Sequence, residues 1–248
     1  MADNGNIVNF PATGASVAPL KNVMLFSGLL KALADRHHDL PGFGVFFGPA
    51  GLGKTMASIY SANKSRAHVV ECDYTWTQKA FCEAVMAEIG ILAKGAPTRM
   101  PIYRAVGEIG DYFAENPDRP LIIDEADFLV RRKMIELVRA IYKYCAPAGA
   151  SIVLIGEETM PKALRLWERF DSRILMRIMA VPLDLDDFRK LAAMICPQLS
   201  FSDDALKKLC GQAGGSARRA VTRLHGVLEQ ARENGLDAIG MAEIEGAS

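Results

Sequence analysis

Five short apolar runs punctuate the chain: GVFF (Gly44 to Phe47), HVVEC (His68 to Cys72), LIID (Leu121 to Asp124), SIVLI (Ser151 to Ile155) and ILMRIMAV (Ile174 to Val181). Each has the length of a strand, and longer patterned segments separate them. Parallel strands cannot be joined by tight turns; they need crossovers, which are usually helices. The alternation therefore predicts an α/β nucleotide-binding fold, a five-stranded parallel sheet flanked by helices. Ahead of the first strand, VMLFSGLLKALA from Val23 to Ala34 is amphipathic. After Pro182 the strand-like runs stop and three helical patterns follow, Asp184 to Ile195, Ser202 to Gln212 and Ser216 to Asn234, each opening near a Ser or Asp suited to cap it. The expected organisation is a flexible Gly, Asn, Ala and Pro rich lead-in over 1–17, an α/β domain over 18–182 and a small helical lid over 183–248.

Composition narrows this picture in three ways. Half of the 248 residues are apolar, enough to bury one core plus a small satellite. Lys and Arg total 29 and Asp and Glu total 29, so no global field attracts nucleic acid or anionic lipid, and any such binding must use a local patch. The five cysteines, Cys72, Cys82, Cys145, Cys196 and Cys210, form no C-x-x-C pair, which argues against zinc and for reduced, mostly buried thiols. His37 and His38 read as surface residues at a helix end. The first residues lack the n-region and h-region of a signal peptide, and no apolar run approaches the ~18 residues of a membrane span, so a cytoplasmic protein with no membrane partner is expected.

The first strand-like run leads into Gly48-Pro49-Ala50-Gly51-Leu52-Gly53-Lys54-Thr55, followed by Met56, which matches G-x-x-x-x-G-K-[ST] at every fixed position. Strand, glycine loop and helix follow in the order such a phosphate loop requires. Its glycines let backbone N–H groups turn toward phosphate oxygens at a helix N-terminus. Lys54 is placed to reach the β and γ phosphates of ATP, and Thr55 to put a hydroxyl on Mg²⁺. About seventy residues later LIIDEADFL ends a strand in Asp124 and Glu125, the pattern in which one acid holds magnesium and the next orients or deprotonates the attacking water.

With these motifs in place the chain resembles the AAA+ ATPases from about Leu20 onward. The resemblance implies five strands followed by a helical lid, and a trans-acting arginine near the last strand. ERFDSRI, Glu168 to Ile174, stands at that place: Arg173 resembles the family's S-R-x finger and Arg169 is the second candidate, with Glu168 and Asp171 as neighbours able to hold the guanidinium while empty. The competing reading is an intramolecular ion-pair cluster. AGGSARRAVTRLH resembles the family's second sensor, with Arg218 as the lid arginine. The first sensor departs from the family, because SIVLIGEETM offers Glu157 and Glu158 where Asn, Ser or Thr is usual; Glu157 is the sensor candidate, an acid able to position water that also repels a triphosphate beside it.

More narrowly, the IDEAD motif, the compact single module, VVECDYTWTQKAFCEAVMAEIGI after the second strand and IGEE…ERFDSRI with its short lid resemble the transposition regulators of the phage Mu B, TnsC and TniB type. That resemblance implies ATP-dependent self-assembly into a helical filament on duplex DNA, stimulation of a DDE transposase and slow hydrolysis, in a bacterial or phage-infected cell. A helicase loader, initiator or clamp-loader ATPase is the same-family rival, and a nucleotide-gated scaffold without appreciable turnover is the rival from another class. Charge supplies the DNA-contact candidates. Read as one helix, RRKMIELVRAIYKYC puts Arg132, Arg139 and Lys143 on one face, with Glu136 interrupting it and Met134, Leu137, Val138 and Ile141 opposite. LAKGAPTRMPIYRA adds Lys94, Arg99 and Arg104 beside Tyr103. A solvated helix face and a surface connector are the alternatives.

Overall fold

The computed structural model describes residues 19–245; the lead-in expected over 1–17 lies outside them. In chain order, α1 (Lys21–Ala34) precedes β1 (Phe43–Phe47), α2 (Lys54–Ser65), β2 (His68–Glu71), α3 (Gln78–Glu88), α4 (Ile102–Glu115) and β3 (Leu121–Asp124). There follow α5 (Asp127–Arg131), α6 (Ile135–Cys145), β4 (Ile152–Gly156), α7 (Met160–Leu164), α8 (Glu168–Asp171) and β5 (Ile174–Met179). The last part holds α9 (Leu185–Ile195), β6 (Ser200–Phe201), α10 (Asp203–Ala213), α11 (Ala217–Asn234), β7 (Ala238–Ile239) and α12 (Met241–Glu245).

Five strands form one parallel sheet in the order β2-β3-β4-β1-β5, as the alternation of apolar runs requires. The chain divides into two compact units. One comprises Leu25–Pro49 and Lys54–Ala180 and holds the sheet. Helices cover both faces, so its inner strands are buried on both sides and read as continuous apolar runs. Phe43 and Val45 join the core under α3, α4 and α6, where Phe43 stacks on Tyr142 and Phe170 with ring centroids 4.4 and 4.3 Å apart. On the opposite face Phe26 of α1 meets Phe46 edge-on, and Ser27 of α1 hydrogen-bonds Ser61 of α2 at 2.8 Å.

The other unit takes in the described residues 19–24, the loop tip Ala50–Gly53 and the segment from Val181 on. Its core is made by α9, α10 and α11 around Phe188, Leu191, Leu209 and Leu224. The expected caps are present. Asp184 accepts from Asp187 N, Ser202 from Ala205 N and Ser216 from Arg219 N, each worth about 1 kcal/mol of helix stability. One feature differs from the all-helical expectation: β6 and β7 pair in parallel through two residues each. Runs of two residues carry no periodicity, so the sequence pattern is blind to them.

Among the described residues no helix is long and apolar enough to cross a membrane. All five cysteines are free, and burial pushes the Cys72, Cys82 and Cys145 thiols up to about 12 and Cys196 to about 11, which leaves them inert. His37 and His38 are exposed beyond α1, each against a different oxygen of Asp39.

Candidate active site

The phosphate loop begins where β1 ends. Gly48 N donates to Gly156 O at 3.2 Å, which sets the loop beside the end of β4. Lys54, first residue of α2, curls back so that its ammonium donates to the carbonyls of Gly48 (2.7 Å) and Pro49 (3.0 Å). Burial lowers the Lys54 pKa, and the nearby acids Asp124, Glu125, Asp127 and Glu157 oppose that shift. Thr55 and Met56 are exposed at the start of the helix. Within the unit that contains the loop tip, Gly51 O accepts from Ser216 Oγ at 3.3 Å and from Arg218 N at 3.1 Å. Gly51 has φ +82°, and a Cβ there would lie 2.8 Å from Ser216 Oγ, so both backbone and space demand glycine. Leu52 O accepts from Asn22 Nδ2 at 2.9 Å in the same unit. The Arg218 side chain is exposed.

The acidic pair sits where β3 stops. Asp124 is buried; its Oδ1 accepts from Glu125 N at 2.8 Å, whereas its Oδ2, also buried, has no hydrogen-bond partner among the described residues. An unsatisfied buried carboxylate oxygen is costly and calls for a cation or water. With Thr55 as a second oxygen donor, the residues fit a hard oxygen-liganded ion such as Mg²⁺. Glu125 adopts φ +53°, a left-handed conformation rare outside glycine, which turns the chain sharply out of the strand at this acid. Burial, then the charges of Asp124 and Asp127, hold Glu125 above the ordinary glutamate range.

Two neighbours of this pair escaped the sequence reading. Asp127, buried at the start of α5, accepts from Glu157 N at 2.7 Å, and Arg131, at the other end of α5, pairs with the Glu157 carboxylate at 2.9 Å. The i, i+4 spacing of Asp127 and Arg131 was a visible signal. Their shared partner was not, because it depends on β3 and β4 being neighbours.

ERFDSRI wraps α8 and leads into β5. Asp171 pairs with Arg177 of β5 at 2.6 Å rather than with either finger candidate, which corrects the expectation that it holds their guanidinium groups. Arg169 and Arg173 are exposed and have no acidic partner among the described residues; Arg173 Nη1 donates to Arg169 O. The intramolecular ion-pair reading therefore fails for both. Arg173 O accepts from Phe43 N at 3.2 Å, so this segment lies at the N-terminal end of β1, while the phosphate loop leaves the C-terminal end. Five strand residues separate those ends by roughly 16 Å.

The basic stripe is broken. Instead of one helix from Arg131 to Cys145, α5 ends at Arg131, Lys133 turns through φ +59°, and α6 starts at Ile135. Arg132 therefore does not align with Arg139 and Lys143. Arg139 is tied to Glu136 at 2.6 Å, and Lys143 is exposed. Arg132 instead lies over the ring of Tyr74, 4.7 Å from its centroid, and Tyr74, 64% exposed, meets Phe128 edge-on. Lys94 and Arg99 are exposed on the α3–α4 connection and Arg104 on the first turn of α4.

A family model described as an AAA domain matches residues 37–164, just over half of the chain, which covers the phosphate loop, the acidic pair and the end of β4. The chain belongs to the AAA domain family. No curated protein matches it. Among solved structures it resembles the Aeropyrum pernix Orc1 protein in complex with DNA at 16% identity and a TM-score of 0.66, over 91% of this chain and 63% of that one. It also resembles a variant of Thermotoga maritima RuvB (16% identity, TM-score 0.60, 93% of this chain and 67% of that one) and Cdc6p from Pyrobaculum aerophilum (15%, 0.60, 93% and 66%). The chain thus spans less than two thirds of the Orc1 chain, and identities this low carry the fold alone.

Proposed function

We propose that this chain is an ATP-hydrolysing AAA+ module that assembles with copies of itself on duplex DNA and acts as target selector and activator for a DDE transposase. Lys54 and the loop glycines hold the phosphates, and an anionic oxygen is a stronger acceptor for the Lys54 ammonium than the two neutral carbonyls it now holds. Thr55 and Asp124 hold Mg²⁺, which neutralises phosphate charge when bound. Glu125 orients and deprotonates water, and Arg218 contacts nucleotide from the lid. The separation of Arg169 and Arg173 from their own phosphate loop supports the oligomer reading: two exposed guanidinium groups, without carboxylate partners among the described residues and at the far end of β1, are placed to serve a phosphate on another copy. Such a head-to-tail contact repeats as a ring or a filament. The likeness to an Orc1 chain bound to DNA favours, as the second reading, an initiator-type ATPase on DNA.

Imaging the protein on long duplex DNA with ATP, ADP or a non-hydrolysable analogue tests this. Continuous helical coats with the triphosphates and bare DNA with ADP are expected. Discrete rings at isolated positions favour the initiator reading, and single particles indifferent to DNA refute both.

Among the DNA-contact candidates, Arg132 has the most developed surroundings. With Tyr74 and Lys133 it makes a cation–aromatic patch suited to a nucleic acid backbone. Arg132→Glu combined with Lys133→Glu is expected to weaken duplex binding by at least tenfold at moderate salt and to flatten the dependence of log affinity on log salt. Lys143→Glu measured alongside serves as the comparison, and equal losses in both variants would relocate the contact.

A further inference from the structure

We propose that Arg131 is a specificity-determining residue of the nucleotide site, which masks the Glu157 carboxylate and so lets the loop accept a triphosphate in preference to a diphosphate. This rests on the nucleotide-binding reading above. The problem it solves is on the surface of the sequence: an acid follows β4 where a γ-phosphate would feel it. The structure makes the proximity concrete. Phe47 pairs with Gly156 across β1 and β4, and Gly48 N donates to Gly156 O, so Glu157 is one residue beyond a direct tie to the phosphate loop. Lys54 feels the charge of Glu157 together with those of Asp124, Glu125 and Asp127.

Glu157 is placed by α5 twice. Asp127 fixes its backbone N–H at 2.7 Å, and Arg131 takes its carboxylate at 2.9 Å. Gly156 permits this approach, because a Cβ there would lie 2.2 Å from Asp127 Oδ2 and 2.5 Å from Met160 Sδ. With the backbone anchored, only two side chains need ordering to keep the pair closed. The pair itself is exposed on both sides, 60% and 51%, so it adds little to fold stability. Its consequence is electrostatic: the pair carries a net charge of zero where Glu157 alone would carry minus one. Both ends of α5 are engaged, and α5 starts two residues after Glu125, so the masking cation sits on the short helix that directly follows the proposed base.

The test is a set of affinities for a non-hydrolysable ATP analogue and for ADP, measured with magnesium in the unsubstituted chain, Arg131→Ala, Arg131→Lys, Glu157→Gln and Arg131→Ala/Glu157→Gln. Melting curves confirm that each variant is folded. Arg131→Ala is expected to lower the ratio of triphosphate to diphosphate affinity on the order of tenfold, an effect that shrinks as salt rises. Arg131→Lys keeps the charge and most of the ratio, and the double variant restores it to within about twofold, because the neutral amide no longer needs masking. An unchanged ratio in Arg131→Ala overturns the proposal. So does a double variant that stays as poor as Arg131→Ala, since Arg131 would then be touching phosphate directly. If the unsubstituted chain binds neither nucleotide, the nucleotide reading itself falls and takes this proposal with it.

Discussion

Glu125→Gln is expected to hold ATP with little loss of affinity and to hydrolyse it two to four orders of magnitude more slowly, the range for removing a positioned general base. The substitution keeps the shape and removes the acceptor for a proton. Single-turnover hydrolysis with saturating DNA, alongside fluorescence titration of nucleotide, checks both halves; turnover within threefold of the unsubstituted chain excludes Glu125 as the base. The environment adds a pH signature. Burial beside Asp124 and Asp127 raises the Glu125 pKa from its ordinary 4.5, so the neutral form is favoured and the ionised base is lost first as pH falls. The acid limb of kcat/KM, which reports the unliganded chain, should accordingly lie above the ordinary glutamate range, with activity retained on its alkaline side. Substituting Asp127 by Asn removes one of the charges that raise Glu125 and should move that limb downward.

How much of this was readable beforehand follows the range of the interactions. The five strands and their parallel order of connection are written in apolar runs and helix-length spacers, because each run answers to burial on both faces wherever in the sheet it ends up. Phosphate loop and acidic pair are local motifs, fixed by residues adjacent in the chain. What failed to show was anything decided by a turn or by a neighbour distant in sequence. RRKMIELVRAIYKYC has a helical pattern throughout, yet Lys133 at φ +59° divides it, and nothing in the side-chain periodicity announces a left-handed residue that is not glycine. Asp171 was within reach of Arg169 and Arg173 by sequence distance, but strand β5 carries Arg177 back to it. Arg131 and Glu157 are 26 residues apart and meet only because β3 and β4 are neighbours. Tyr74, on the loop after β2, and Arg132, in the turn after α5, meet likewise because β2 and β3 are neighbours.

Arg173→Ala is expected to bind ATP and DNA while losing three to five orders of magnitude in hydrolysis, the worth of an arginine supplied to a phosphoryl group in trans. Arg169→Ala, measured beside it, assigns the role: the arginine that reaches the γ-phosphate shows the large loss, and its neighbour, whose carbonyl accepts from the Arg173 guanidinium, shows a smaller one through position alone. Rate loss by itself does not distinguish an arginine acting across copies from one that merely shapes the fold, but mixing does. Lys54→Ala removes the loop ammonium and keeps both arginines; Arg173→Ala keeps the loop and lacks the finger. Each alone is inactive. In an equimolar mixture about a quarter of head-to-tail contacts join an intact loop to an intact arginine, and hydrolysis should return to that fraction of the unsubstituted rate. A mixture as silent as its components means that no copy completes another's site, and the exposed guanidinium groups at the far end of β1 then serve some partner other than a second copy of this chain.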